Sequence, residues 1–356
     1  MAAKVVTDAI KAAQSAGLRY TTDQSPGYRR RRRGQGFLYT SNDGRPLTDR
    51  REIARIKALV IPPAWDEVWI CENPNGHLQT TGRDSRRRKQ YRYHPRWRVV
   101  RDQVKYARLL EFAAKLPLIR KQVRKDMELR GLPRRKVLGT LVQLLEATLI
   151  RVGNQEYARH NNSFGLTTLR NRHAAVVGEK LSFEFRGKGG KVHVISLRDR
   201  RLAQIVRRCQ ELPGHELFQF LDENGQRQSI DSGDVNEYLR EIANEEFTAK
   251  DYRTWAGTVL ATRTLQTFEP FKSQTEAKRN VVKAIEAVAS KLGNTRSICR
   301  KCYIHPAVID AYVDGTMLST PKQRRTSAGL RPEEAAVVAL LRRRLAREYE
   351  RDKKAS

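Results

Sequence analysis

Five residues spread over half the chain have side chains suited to phosphate chemistry: Arg151, Lys188, Arg253, Asn294 and Tyr303. Each alone reads as an ordinary surface residue in a chain with 70 Lys+Arg. Their order and spacing make the signal. What is missing around them narrows the chemistry. There is no G-x-x-x-x-G-K-[ST] phosphate loop, no D-x-D pair and no H-E-x-x-H. The one Cys pair at metal spacing, Cys299-x-x-Cys302, has no second pair to complete four ligands. Phosphate chemistry without metal ligands requires Arg and Lys to act on the phosphate directly, together with a side-chain nucleophile.

The elements that must position these residues follow from local pattern. Leu138, Leu141, Val142, Leu145, Leu149 and Val152 form one helical stripe. Arg151 is expected to end that helix, about 140° off the stripe centre at about 100° per residue. Lys188 falls in the glycine-rich tip of a hairpin over 181–197, where glycines allow close backbone approach. Arg253 lies near a helix start in Lys250-Asp251-Tyr252-Arg253-Thr254-Trp255. Asn294 follows Gly293, which is placed to stop a helix over 274–292. Tyr303 comes nine residues later, in a short helix that Ser297 would cap. Further helices are expected at 199–212, 234–245 and 251–267, one opened by Pro306, and an amphipathic basic one from Pro332 to Lys354.

Upstream the reading changes. A short helix over 1–17 ending at Gly17 is followed by Arg29 to Arg33, five arginines bounded by glycines. That run reads as a solvated loop, a phosphate contact, or both. Strands are expected at 37–40, 65–71 and 77–81, separated by the turns Asn42-Asp43-Gly44 and Asn73-Pro74-Asn75-Gly76. Tyr91 to Pro95 marks the exit. The expected fold class is therefore α+β: a β-rich N-terminal domain over 1–95, a larger mainly α domain over 96–320, and a basic helical tail over 321–356.

The 356 residues carry 70 Lys+Arg against 39 Asp+Glu, a net charge of +31. This points to a polyanionic partner, nucleic acid before an anionic membrane surface. No apolar run approaches the roughly 18 residues of a membrane span. The N-terminus lacks a secretory pattern, and four cysteines make no disulfide framework, as suits a reducing compartment.

Arg151-Val152-Gly153-Asn154, Arg186-Gly187-Lys188-Gly189-Gly190-Lys191, Lys250 to Thr254, and Leu292 to Thr295 leading to Tyr303 together resemble type IB DNA topoisomerases of the compact bacterial and poxvirus branch. The N-terminal segments agree independently: Arg29 to Phe37, Ile61 to Trp65, Thr81-Gly82-Arg83-Asp84-Ser85 and Lys89 to Tyr93. The resemblance spans about residues 18 to 313. It implies the fold of the topoisomerase and tyrosine recombinase kind, with an N-terminal module that closes on duplex DNA. By that likeness Tyr303 is the nucleophile, Arg151 and Arg253 stabilise the phosphoryl oxygens, and Lys188 is the general acid. It also implies DNA contacts from Arg83, Gln90, Tyr91 and Tyr93, although the two tyrosines equally read as ordinary strand aromatics. No metal, ATP or other cofactor is implied, and the expected form is a cytoplasmic, nucleoid-associated monomer on duplex DNA. One position departs: the family commonly has His where this chain has Asn294. Asn can donate a hydrogen bond but cannot exchange a proton near neutrality, so the donor role is the one expected here. Tyrosine recombinases are the runner-up, but Lys250 stands where they usually have histidine. A non-enzymatic basic DNA-binding protein would explain the charge without the ordered set. Cys299, Cys302, His173 and His305 are expected to be structural, and Glu333-Glu334 to favour the helix dipole.

Overall fold

The computed structural model describes residues 10–11, 13–34, 36–85, 87, 89–317 and 329–355. The chain divides into two compact units, Met1–Ala107 and Arg108–Ser356. The architecture is α+β, with the β-rich part first and a mostly helical part after it.

The first unit is built on an antiparallel sheet of five strands: β1 (Gly27–Arg33), β2 (Gly36–Thr40), β3 (Asp66–Cys71), β4 (Leu78–Arg83) and β5 (Lys89–Tyr93), in the order β2-β1-β3-β4-β5. One helix, α1 (Arg50–Ala58), starts at Asp49, whose carboxylate accepts from the backbone N–H of Arg51 and Glu52. Ile56 of α1 packs with Val68 and Ile70 of β3, joined by Tyr28, Tyr39 and Trp65. The other face of β3 and β4 buries Trp69, Cys71 and Leu78. Because successive strand residues alternate faces, burial of Val68, Trp69, Ile70 and Cys71 in succession means that both faces of β3 are covered. Of the helix expected over 1–17, residues 1–9 and 12 lie outside the described residues. Its stop is in place, with Gly17 at φ +64°.

The arginine run corrects one expectation. It is strand β1, not a loop, and Arg29 to Arg33 pair with Thr40 back to Gly36. Arg30 is turned inward at 9% exposure. Its guanidinium donates to the carbonyls of Ile61 (3.2 Å), Pro62 (2.9 Å) and Trp65 (2.7 Å) and lies 4.1 Å from the Phe37 ring centroid. The other four arginines are exposed. A run of identical charges carries no apolar alternation, so its strand period could not be read.

A long helix, α2 (Pro95–Met127), follows β5. The second unit continues with α3 (Arg134–Thr148), α4 (Gln155–Asn161), the three-stranded sheet β6 (Ala174–Val177), β7 (Lys180–Arg186) and β8 (Val192–Arg198), and α5 (Arg200–Glu211). A small hairpin, β9 (Gln219–Leu221) and β10 (Arg227–Ser229), precedes α6 (Ser232–Ala243), α7 (Ala249–Gln266), α8 (Gln274–Leu292), α9 (Arg296–Cys302), α10 (Pro306–Val313) and α11 (Pro332–Ala355). Phe112 of α2 meets Phe247 and Tyr252 edge-to-face in the core. Part of the expected tail, residues 321–328 and 356, lies outside the described residues. Its described part is α11, which packs on α7 and α10. Glu334 does more there than favour a dipole. It accepts from the Arg331 N–H and is paired with Arg120 at 2.6 Å, and Arg120 also holds Glu146.

Candidate active site

The striped helix stops earlier than its periodicity suggests. α3 ends at Thr148, and Leu149 takes a left-handed cap conformation with φ 58°. Thr148 turns its hydroxyl back to the Leu144 carbonyl and accepts from the Ile150 N–H, which closes the helix. Arg151 therefore lies beyond the helix on an extended segment. That segment is pinned by the Leu166 N–H on the Arg151 carbonyl (2.9 Å) and the Thr167 N–H on that of Val152 (2.7 Å). Gly165 makes this close approach possible: a methyl group there would stand 2.5 Å from the Arg151 carbonyl oxygen.

Arg253 is on the first turns of α7, a helix opened by the reciprocal Thr248–Asp251 capping box. Its guanidinium donates to the carbonyl of Leu149, at the end of α3, and to that of Leu292 (2.9 Å), at the end of α8. Both are carbonyls that a helix end leaves unsatisfied. One side chain thus joins two helix termini. Its Cζ also lies 5.3 Å from the centroid of the Tyr303 ring.

Gly293 ends α8 as expected, with φ 63°. Asn294 follows, and its Oδ1 accepts from Arg151 Nη2. That leaves Nδ2 a buried donor with no oxygen or nitrogen acceptor among the described residues, its side-chain neighbour being the Cys299 thiol, whose charged form it favours. Nε of Arg253 is a second such donor. Helix α9 is capped by Thr295 rather than by the expected Ser297, through a bond from the Ile298 N–H. Tyr303 is its C-cap residue.

The Tyr303 segment rests directly on α7. Gly257, one turn after Arg253 and so on the same helix face, would carry a methyl group 2.5 Å from the Tyr303 carbonyl oxygen. Thr258 sits in the same seam: its hydroxyl lies 3.4 Å from that oxygen and accepts from the His305 N–H at 3.2 Å. His305 is pushed down to about 4 by burial and by Arg344, and its Nδ1 caps α10. Cys299 is buried beside the arginines. Burial raises its thiol, against the pull of Arg253 and Arg151.

The electrostatics are one-sided. Burial and the neighbouring Arg253 hold the Arg151 guanidinium below its ordinary value. Among the described residues neither arginine is paired with a carboxylate, and no group of three His, Cys, Asp or Glu could hold a metal ion. Two withdrawn cations without a counter-charge are costly to maintain. An anion set between them relieves that cost.

Arg151, Arg253, Asn294 and Tyr303 are thus brought together. Lys188 is on the exposed tip of the β7–β8 hairpin, where a tight turn is closed by the Gly187 N–H on the Lys191 carbonyl (2.8 Å) and Gly189 takes φ 78°. The turn end of the hairpin faces the site. Gly187 and His193 line a cavity of about 10 Å³ with Arg151, Arg253 and Leu292, room for one water at most. His193 was not among the expected site residues. Its signal was its alternation with Val192 and Val194 on β8, which puts it on the inner face with Ile195 two residues on.

In the first unit, Tyr91 and Tyr93 share one face of the edge strand β5, with rings stacked 6.1 Å apart. Tyr91 is 47% exposed. Arg83 faces the same side through its pairing with Lys89, and is held by Glu67 at 2.8 Å. Gln90 is on the opposite face and donates to Asp84 at 2.9 Å. The four expected DNA contacts therefore divide between two faces of the sheet.

A family model described as the catalytic core of eukaryotic DNA topoisomerase I matches residues 93–327. A second, the N-terminal domain of bacterial DNA topoisomerase IB, matches residues 36–84. DNA topoisomerase 1B of Acanthamoeba polyphaga mimivirus is 29% identical over 293 residues, which cover 80% of this chain and 87% of the viral one. With the catalytic-core match spanning more than half of its length, the chain belongs to the type IB DNA topoisomerase family.

Proposed function

We propose that Tyr303 is the nucleophile with which this type IB topoisomerase opens one strand of duplex DNA. The observation that carries the assignment is the pair of arginines without a carboxylate beside the Tyr303 ring. A phenol is a poor nucleophile at neutral pH, its ordinary pKa being about 10. Positive surroundings hold the phosphodiester that is attacked and stabilise the charge that develops as the bond forms. Tyr303 Oη forms the bond to phosphorus, the bond to the 5′-oxygen breaks, Lys188 gives a proton to that oxygen, and the phenolic proton leaves to water. The strand is then held as a 3′-phosphotyrosyl ester beside a free 5′-hydroxyl.

Charge gathers on the non-bridging oxygens as the pentacoordinate state forms. Arg151, the Nε edge of Arg253 and the Nδ2 group of Asn294 are the donors for it. Asn294 is oriented by Arg151, so the donor role expected at this position has a physical basis in the pocket. Religation runs the same steps backwards, with the phosphotyrosyl ester conserving the energy of the broken diester. While the strand is open, rotation about the intact strand releases supercoils. Four residues of the set meet within one chain, which supports action as a monomer. Four exposed arginines of β1, with Arg83, Tyr91 and Tyr93, are the proposed duplex contacts of the first unit, and the chain's charge of +31 fits residence on the nucleoid in the cytoplasm.

The test is to trap the covalent complex on a nicked duplex whose released fragment cannot religate. An adduct joined to the 3′ side of the break through Tyr303 is expected. Attachment through another residue, or at a 5′ phosphate, would overturn the assignment.

A further inference from the structure

We propose that His193 is the positioning residue that seats the Lys188 hairpin beside Asn294, an inference that rests on the reading of Lys188 as general acid. The antiparallel register pairs His193 with Phe185, and the two rings stack with centroids 5.2 Å apart and planes 11° apart. On one edge the imidazole fills the space over Gly187, where a methyl group would lie 2.7 Å from Cδ2 and from Nε2. On another edge it meets Gly293, where a methyl group would lie 2.2 Å from Cε1. These glycines immediately precede Lys188 and Asn294. One flat ring therefore touches the backbone next to two of the five catalytic candidates, on two separate elements.

The backbone of Gly187 does not by itself require glycine. Its φ of −97° is open to any residue. What excludes a side chain there is the imidazole. Gly293 is constrained twice, by its φ of 63° and by the same ring. His193 makes no hydrogen bond through its ring among the described residues, so it acts by shape and stacking. Burial, with Arg151, Lys191 and Arg253 around it, favours the uncharged ring, and an uncharged ring does not repel the arginines it sits against.

The reaction itself offers a discriminating probe. When the 5′-bridging oxygen of the scissile phosphate is replaced by sulfur, the leaving thiolate needs no proton, and loss of the general acid is no longer felt. Single-turnover cleavage of the oxygen and sulfur duplexes would be measured for wild type, Lys188→Ala, His193→Ala and Gly187→Ala, with duplex affinity and melting temperature recorded for each. On the oxygen substrate Lys188→Ala should slow within the about 10²–10⁴-fold span of general acid catalysis. His193→Ala and Gly187→Ala should slow by about tenfold or more within that span. On the sulfur substrate all three should return to near the wild-type rate. Gly187→Ala keeps His193 and an allowed backbone, and decides the matter if His193→Ala does not fold. Equal slowing on both substrates, or an unchanged rate on the oxygen substrate, would overturn the role of His193. If Lys188→Ala itself is not rescued by sulfur, the reading of Lys188 has failed and the seat has no acid to position.

Discussion

Replacing Asn294 by Asp tests the pocket most directly, because it should move activity and stability in opposite directions. The carboxylate keeps the oxygen that accepts from Arg151 but deletes the Nδ2 donor. Losing one donor to a developing oxyanion costs about 10²–10³ in rate, or about 2.7–4 kcal/mol. The new negative charge beside the scissile phosphate adds to that loss. Asn294→Ala should lose about 10²-fold through the donor alone, and Asn294→His should stay active, since imidazole also donates. Stability should respond the other way to Asp. The arginines gain a counter-charge, which at a half-buried site is worth about 1 kcal/mol after solvent screening, or about 2–4 °C for a unit of this size. Arg151 lowers the folded pKa of that Asp below its unfolded value of about 3.9, so the gain is present above that value and lost as pH falls through the folded one. Single-turnover cleavage of a suicide duplex and thermal melting read both effects on one preparation. The wild-type pH–rate profile should also lack an inflection near 6.5, because His193 and His305 are both held below their ordinary value by burial. Wild-type cleavage by Asn294→Ala with a lowered melting temperature would refute the reasoning and leave Asn294 a helix-stop residue.

Four further outcomes are expected. Tyr303→Phe should form no covalent adduct yet bind duplex with near wild-type affinity, since one hydroxyl matters little among many phosphate contacts; adducts formed by this variant would move the nucleophile elsewhere. Gly257→Ala should slow cleavage and cost about 1–3 kcal/mol of stability by overpacking, because its methyl group meets the Tyr303 backbone at 2.5 Å; melting and cleavage assays check both. Relaxation of positively and negatively supercoiled plasmid should persist in chelator and without ATP, and strict Mg²⁺ dependence would contradict the proposed arginine and lysine mechanism. Replacing Arg29, Arg31, Arg32 and Arg33 with Ala should weaken duplex binding and flatten its log K against log salt, whereas Arg30→Ala should chiefly lower the melting temperature, since its guanidinium is tied to three backbone carbonyls.

The parts of the molecule that were legible in the sequence are those whose signal is local. Gly293 and Pro306 punctuate helices where they were expected to, and the hairpin over 181–197 shows in its alternation and its glycines. The helix end at Thr148 was not legible, because Leu149 and Val152 continue the apolar stripe while the backbone has already turned left-handed at Leu149. The cap of α9 was misplaced by two residues because Thr295 and Ser297 are equally suited by type. Strand β1 was hidden by its uniform charge, and strand β6 by its brevity. At the site, the resemblance supplied the residues, but spacing alone could not show that Arg253 closes two helix ends. Nor could it show that Gly257 and Thr258 support the tyrosine. Such relations join positions up to 104 residues apart in the chain.

Arg253 has a consequence for how damage to this protein would appear in a cell. Its guanidinium satisfies the carbonyls of Leu149 and Leu292, so the same atoms that flank the Tyr303 ring also hold α3 to α8. A substitution there strands two acceptors in the interior as well as removing a cation. Desolvated acceptors cost about 1–3 kcal/mol each, a loss that can change cellular abundance several-fold through proteolysis and chaperone triage. An inherited change at this codon would therefore show first as scarcity of the protein, and selection on the proposed role of Arg253 at the phosphate would be inseparable from selection on the amount of enzyme made.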